Sequence, residues 1–225
     1  IQDQDGNTVA DSTTTVTLTS SNATIGGTLL NSAVAMDAVA GVADFSGKNV
    51  KLTGTIGAKN LTATISGGIT LTNSVTITAG AATKLAIVQQ AAGSVNAVAF
   101  TTQPQVVFQD ISGNTVDTTD SIDVASSGST LSGATSVAAV AGKTTFTNLK
   151  LTGTIGTYVL TFSSGALTTD QQNITVTFGA ATKLALTTQP LGFVNRTNFT
   201  TQPVVTVQDS MGNTVSDASI SIDVA

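Results

Sequence analysis

The sequence has no cysteine, histidine or tryptophan, only one tyrosine and three prolines, and every one of its 13 acidic residues is an aspartate. Each absence excludes a class of chemistry. Without cysteine there is no disulfide framework and no thiolate nucleophile. Without histidine the commonest general base and borderline-metal ligand is gone. Without glutamate, any paired-carboxylate mechanism would fall to aspartates, and most of these stand in turn-forming sequences. Only 9% of residues are charged, with 8 basic against 13 acidic and a net charge of -5. That balance offers no basic footprint for nucleic acid. No apolar run reaches the 18 residues of a membrane-crossing helix. The expectation is a chain that is not an enzyme and has neither a nucleic-acid partner nor a membrane span in this segment.

What the sequence does contain is threonine, alanine, valine, glycine and serine. Hydrophobic residues make up 40% of its 225 positions, and many are β-branched, which favours sheet. Alternation is clear at Thr14–Ser20, Gln105–Gln109 and Tyr158–Phe162, the pattern of half-buried strands. Gly, Asn, Asp and Ser clusters separate these segments, and no segment carries an apolar period of 3.6. The reading is all-β, as two-sheet antiparallel sandwiches.

The chain is organised by a repeat. Ala82-Thr83-Lys84-Leu85 returns as Ala181-Thr182-Lys183-Leu184, 99 positions on. Thr101-Thr102-Gln103-Pro104 returns as Thr200-Thr201-Gln202-Pro203, and Lys51–Gly57 returns as Lys150–Gly156, at the same spacing of 99. A further motif, Gln-Asp-x-x-Gly-Asn-Thr-Val, occurs at 2–9, 109–116 and 208–215. A period near 100 residues is domain-sized. It predicts a partial domain at 1–80 lacking its first strands, a complete domain at 81–179, and a partial domain at 180–225 holding first strands only. This is the phase of a window within a longer array.

Within the complete repeat, strands are expected at Lys84–Gln89, Ala97–Phe100, Gln105–Gln109, around Ile122 and Val124, and at Ser136–Val140, Thr144–Phe146, Leu149–Leu151, Tyr158–Phe162 and 174–178. The expected core is Leu85, Val106, Phe108, Ile122, Val124, Phe146, Leu160, Phe162, Val176 and Phe178. In the first repeat, Ile65 or its neighbour is expected to stand where Phe162 stands.

Candidate sites are few. Asp3, Asp5, Asp110 and Asp209 give the repeated turn a faint likeness to the front half of a calcium loop, since hard cations take clustered carboxylate oxygens. The closing glutamate is missing, and Ser112 and Met211 replace Asp5 in the later copies. The alternative is that these aspartates, with Gly113, Asn114, Gly212 and Asn213, cap a β-turn. Lys84 and Lys183 occupy one place in a first strand, where a charge guards an open edge. Tyr158 is placed to tie its hydroxyl to nearby backbone as a tyrosine corner, and Asn60 is expected at the corresponding place in the first repeat. The loop Ser21–Leu30 is longer than its counterpart at 126–131. It is the candidate binding loop, with Asn22, Ile25 and Gly26 facing a glycan or a surface protein. No cofactor other than calcium is suggested.

Taken together, the Ala-Thr-Lys-Leu, Thr-Thr-Gln-Pro and Gln-Asp-x-x-Gly-Asn-Thr-Val motifs and Leu151–Phe162 resemble bacterial immunoglobulin-like repeats. Such repeats occur in tandem in large surface proteins and adhesins of the broader invasin/intimin-like class. The resemblance implies tandem immunoglobulin-like antiparallel β-sandwich domains arranged end to end. It also implies a structural role as stalk or filament part at the bacterial cell surface, with neighbouring domains of the same or identical chains as partners. The composition, rich in Thr and Ser and poor in Lys, agrees with an extracellular setting. Two other roles remain open: adhesion through inter-strand loops, and self-assembly by strand donation.

Overall fold

The computed structural model describes residues 1–10, 12–21, 23–26 and 34–223. The chain divides into two compact units. Unit 1 comprises residues 1–81 together with 109–115, and unit 2 comprises 82–108 and 116–225. The short turn segment 109–115 thus belongs with unit 1, although it interrupts the sequence of unit 2, and residues 180–225 belong with unit 2.

Unit 1 holds β1 (Thr15–Ser20), β2 (Thr24–Gly26), β3 (Val34–Asp37), β4 (Lys51–Thr53), β5 (Gly57–Ile65) and β6 (Thr70–Ile77), with one 3-10 turn at Ser46–Lys48. The strands β3-β1-β5-β6 form a four-stranded antiparallel sheet in that order, and β2 pairs with β4. β1 is a strand because Thr and hydrophobic residues alternate: Val16 and Leu18 turn inward and are buried, whereas Thr15 and Thr19 face out. The core of this unit is small. Leu18 and Val34 are its buried centre, and Phe45, Val50, Leu52, Leu61 and Ala63 pack around them only partly buried.

Unit 2 continues with β7 (Lys84–Gln89), β8 (Gln105–Gln109), β9 (Ser121–Ser126), β10 (Thr130–Ser132), β11 (Ser136–Ala138), β12 (Lys143–Thr145), β13 (Lys150–Thr152), β14 (Gly156–Ser163), β15 (Asp170–Val176), β16 (Lys183–Thr188) and β17 (Val204–Gln208). Gln109, the last residue of β8, opens the segment assigned to unit 1. A three-stranded sheet β12-β8-β7 faces a four-stranded sheet β11-β9-β14-β15. This is an immunoglobulin-like sandwich, with the two inner faces meeting in one core. Leu85, Val106 and Phe108 from the first sheet share a buried cluster with Ile122, Val124, Leu160, Phe162 and Val176 from the second. Phe146 and Phe162 meet at a ring-centroid distance of 5.4 Å, tilted by 53°. β16 and β17 form a separate two-stranded hairpin sheet with a register shift between Leu186 and Thr188.

Two glutamines replace missing ladder bonds. Gln172 accepts from Ala91 N at 2.8 Å and donates to Ala91 O at 2.6 Å. Gln103 accepts from Leu149 N at 2.9 Å and donates to Phe100 O and Leu149 O.

Several expectations need correction. Ala97–Phe100 is a turn, with Ala97 at φ 63°, and no strand resumes there. β15 ends at Val176, so Phe178 lies beyond the strand, half-buried and outside the core cluster. Phe100, Leu149 and Leu151 are buried there although they were not expected in the core. Leu18 faces Ala63 across the sheet where Val124 faces Phe162, so Ala63, not Ile65, is the counterpart of Phe162. Lys59 pairs with Val75 as Tyr158 pairs with Ile174, so Lys59, not Asn60, stands in the tyrosine's place.

Candidate functional site: a repeated aspartate-asparagine clasp

The Gln-Asp-x-x-Gly-Asn-Thr-Val sequence folds alike in all three copies. In the second, Gln109 and Thr115 bridge the stem. Gly113 sits at φ 85°, a region open to glycine at little cost, and its N–H donates to Asp110 O at 3.0 Å. Asp110 Oδ1 accepts from Ser112 N and Asn114 N, each at 2.9 Å. Asn114 Nδ2 donates to Asp110 Oδ2 at 2.9 Å. The aspartate therefore organises the turn as an Asx turn does, and the asparagine amide is held in a fixed orientation.

In two copies the oriented pair reaches outward. Within unit 1, Gly80 N donates to Asp110 Oδ2 at 3.0 Å. Asn114 Nδ2 donates to Gly54 O at 3.0 Å, and Ile56 N donates to Asn114 Oδ1 at 3.1 Å. Within unit 2 the same set recurs. Gly179 N donates to Asp209 Oδ2 at 3.0 Å, Asn213 Nδ2 to Gly153 O at 3.0 Å, and Ile155 N to Asn213 Oδ1 at 3.0 Å. Unit 2 adds Asn96, whose Nδ2 donates to Asp209 Oδ2 at 2.7 Å and whose Oδ1 accepts from Gly153 N at 3.0 Å. Asp110, Asn114, Asp209 and Asn213 are all buried. The turn at 2–9 has the same internal bonds, from Asp5 N and Asn7 N to Asp3 Oδ1 at 3.0 and 2.9 Å, but Asp3 and Asn7 are exposed.

The electrostatics follow from the donors. The Asn114 side chain and the Gly80 N–H hold the Asp110 carboxyl at a pKa of about 2, below its ordinary 3.8. At Asp209 burial pushes toward the neutral acid, and the donors from Asn213, Gly179 and Asn96 outweigh it, so its pKa is lowered too. Asp3 is lowered by the Asn7 backbone and side chain. These are carboxylates stabilised by N–H groups, with no cation required.

Asp3, Asp110 and Asp209, named for calcium, are engaged by amide donors in this geometry. Both oxygens of Asp110 and Asp209 already accept hydrogen bonds. Among the described residues no group of three acidic side chains is placed to hold a metal ion. Asp3 and Asp5 share an exposed turn, in which Asp3 is committed to the Asp5 and Asn7 N–H groups.

The other candidates are scattered. Tyr158 ties its hydroxyl to Thr154 O at 2.8 Å, the corner geometry expected of it. In the first repeat Lys59 makes the corresponding tie, from Nζ to Thr55 Oγ1 at 3.0 Å. Lys84 lies on the edge strand β7. Lys183 donates to Ser210 O at 3.4 Å beside the third turn. Asn22 lies outside the described residues. Ile25 and Gly26 lie in β2, paired with Leu52 and Lys51, so that part of the expected binding loop is strand. Gly113 and Gly212 hold the positive φ of their turns, at 85° and 90°.

The partners of the clasp, Gly54, Ile56, Gly80, Asn96, Gly153, Ile155 and Gly179, were not among the candidates. The recurrence of Gly-Thr-Ile-Gly at 54–57 and 153–156 was visible, but not its role as a receptor. The assembled site can bind backbone amides.

No protein-family model matches the chain, and no curated protein matches it. Among solved structures, a β-glycosidase from Bacteroides vulgatus is similar at 15% identity and a TM-score of 0.38, over 72% of this chain and 21% of that one. A glycosyl hydrolase family 2 member from Bacteroides cellulosilyticus gives 16% identity and a TM-score of 0.36, again over 72% of this chain and 21% of that one. A β-glucuronidase from Parabacteroides merdae gives 12% identity and 0.34, over 72% and 20%. The chain thus spans about a fifth of the length of these proteins, and their activities are not carried over to it.

Proposed function

We propose that this chain is a non-enzymatic structural segment of a large bacterial surface protein, built from immunoglobulin-like repeats of the invasin/intimin-like, adhesin type and working outside the cell as stalk or filament. The observation that carries this reading is the clasp: one motif makes the same bonds to a Gly-Thr-Ile turn and a following glycine in both units. A chain whose repeats are each gripped by the next resists bending at the joints, unlike one strung on flexible Gly/Ser linkers. A spacer needs that property and needs little else. The absence of His, Cys and Glu from the sequence leaves an enzymatic reading without its usual groups.

The test is small-angle scattering and electron microscopy on a chain of several whole repeats. The expected particle is a rod whose length grows linearly with repeat number. The variant with every clasp asparagine changed to alanine is expected to have a shorter, broader end-to-end distribution. A compact globule for the parent chain would overturn the reading.

A further inference from the structure

We propose that unit 2 is a mechanical clamp: the segments that open and close its sandwich lie side by side in parallel, and stretching the chain loads them in shear. The chain enters the sandwich along β7 and the turn after it, residues 83–96, and leaves it along residues 168–177, which include β15. The parallel bridges Lys84–Thr168 and Val95–Thr177 fix the relative direction of the two segments. A pull at residue 83 and a pull at residue 179 therefore act on opposite ends of one parallel pair. To separate, the segments must slide past each other, and all the bonds between them carry the load together.

Backbone pairs close both ends of the clamp. Leu85 N donates to Thr168 O at 3.0 Å, and Thr168 N to Thr83 O at 3.2 Å. At the far end Asn96 N donates to Thr177 O at 2.9 Å, and Thr177 N to Ser94 O at 3.0 Å. Between these pairs two side chains of β15 make the connection. Ile87 N donates to Asp170 Oδ2 at 2.7 Å, and Gln172 exchanges two bonds with the backbone of Ala91. Gln172 stands at an inward position of β15, in step with Ile174 and Val176. A polar side chain placed among core residues is costly unless it is satisfied. Here the amide is satisfied by Ala91, and both residues are buried.

The clamp is also the seam between the sheets, because β7 belongs to the three-stranded sheet and β15 to the four-stranded one. Leu85, Ile174 and Val176, on the same two strands, are buried in the shared core. Sliding the strands would drag these side chains out of it as the bonds break. The side chain of Asn96 holds the far end once more, through Asp209 and Gly153. This deepens the stalk reading and rests on it for its use in the protein. Pulling reads unit 2 alone whereas scattering reads the rod, so a failure of one is distinguishable from a failure of the other.

The experiment is single-molecule pulling on the full chain. The sequence has no cysteine, so two introduced ones are the sole anchors. Thr83→Cys with Ala180→Cys loads the clamp in shear. Thr83→Cys with Thr169→Cys pulls on one end of it and peels its bonds in turn. All three positions are exposed. At equal loading rate the shear pair is expected to rupture at a force at least about twofold that of the peeling pair. Gln172→Leu is expected to shorten the shear lifetime at fixed force at least about tenfold, and Asp170→Ala at least about threefold. Both should leave the peeling force unchanged, since the bonds that break first there are those of Leu85 and Thr168. Asn173→Ala, on the outward face of the same strand, is expected to change neither. Denaturant melts establish that each variant is folded. Equal rupture forces in the two geometries would overturn the proposal, and that comparison needs no core substitution. So would a folded Gln172→Leu or Asp170→Ala chain with the parent's shear lifetime.

Discussion

Asn213 does the work of a peptide unit. Its amide donates to Gly153 O and accepts from Ile155 N, which is what a neighbouring strand would do. Changing it to alanine leaves both groups without their side-chain partner. The expected loss is about 1–3 kcal/mol, the usual cost of an unsatisfied buried polar group. Denaturant unfolding measures it, and faster hydrogen exchange at the Ile155 amide locates it. Thr144 gives the opposite expectation. It is fully buried in β12 and its hydroxyl has no partner. Thr144→Val removes a hydroxyl that gains nothing, so stability is expected to stay level or to rise by up to about 1 kcal/mol. The aspartates set the acid limit. Asp110 has a folded pKa of about 2 against an ordinary 3.8, and Asp209 is depressed as well. A depressed carboxylate contributes stability that is fully present above its unfolded pKa and is lost as pH falls through the folded one. Stability is therefore expected to be flat from about pH 5 to pH 8, as no histidine titrates there. It should fall from about pH 4 toward pH 2, and Asn114→Ala should reduce the part of that acid dependence that belongs to Asp110. Thermal melts across pH in parent and variant check both statements.

At the scale of elements, Phe162 on β14 anchors the sandwich, packed against Phe146 and facing Val124 across the sheet. Phe162→Ala is expected to cost about 3–5 kcal/mol by leaving a cavity, measured by denaturant unfolding. Ala63 occupies this place in β5, so the strand of the first repeat has evolved without the ring. The alternating strands were legible because period-two patterning survives in so Thr-rich a sequence: β8, β9 and β14 lie where Val106, Phe108, Ile122, Val124, Leu160 and Phe162 put them. Two places were not legible. Ala97–Phe100 has strand-like residues, but it is held as a turn by Asn96 N on Thr177 O, Ala97 N on Leu151 O and Phe100 N on Leu149 O, all long-range bonds. The turn of the clasp was legible because it is written three times in the sequence. Its receptor was not, because the groups gripped are the backbone of Gly54, Ile56, Gly80 and their counterparts, and a backbone N–H has no letter of its own.

For the molecule as a whole, the two units differ in how much core they own. Unit 2 buries a cluster from both sheets that includes Phe100, Phe108, Phe146 and Phe162, whereas the buried centre of unit 1 among the described residues is Leu18 and Val34. Opening free energy tracks such packing. Amides of the β5–β6 pair are therefore expected to exchange before those of the β14–β15 pair, despite similar ladders. Hydrogen exchange resolved by residue checks this, and equal protection in the two pairs would contradict it. The clasp has a further consequence for how such a gene can change. Its asparagine contacts a backbone carbonyl and a backbone N–H, which every residue but proline supplies, so the side chains of Ile56 and Ile155 can change while those bonds remain available.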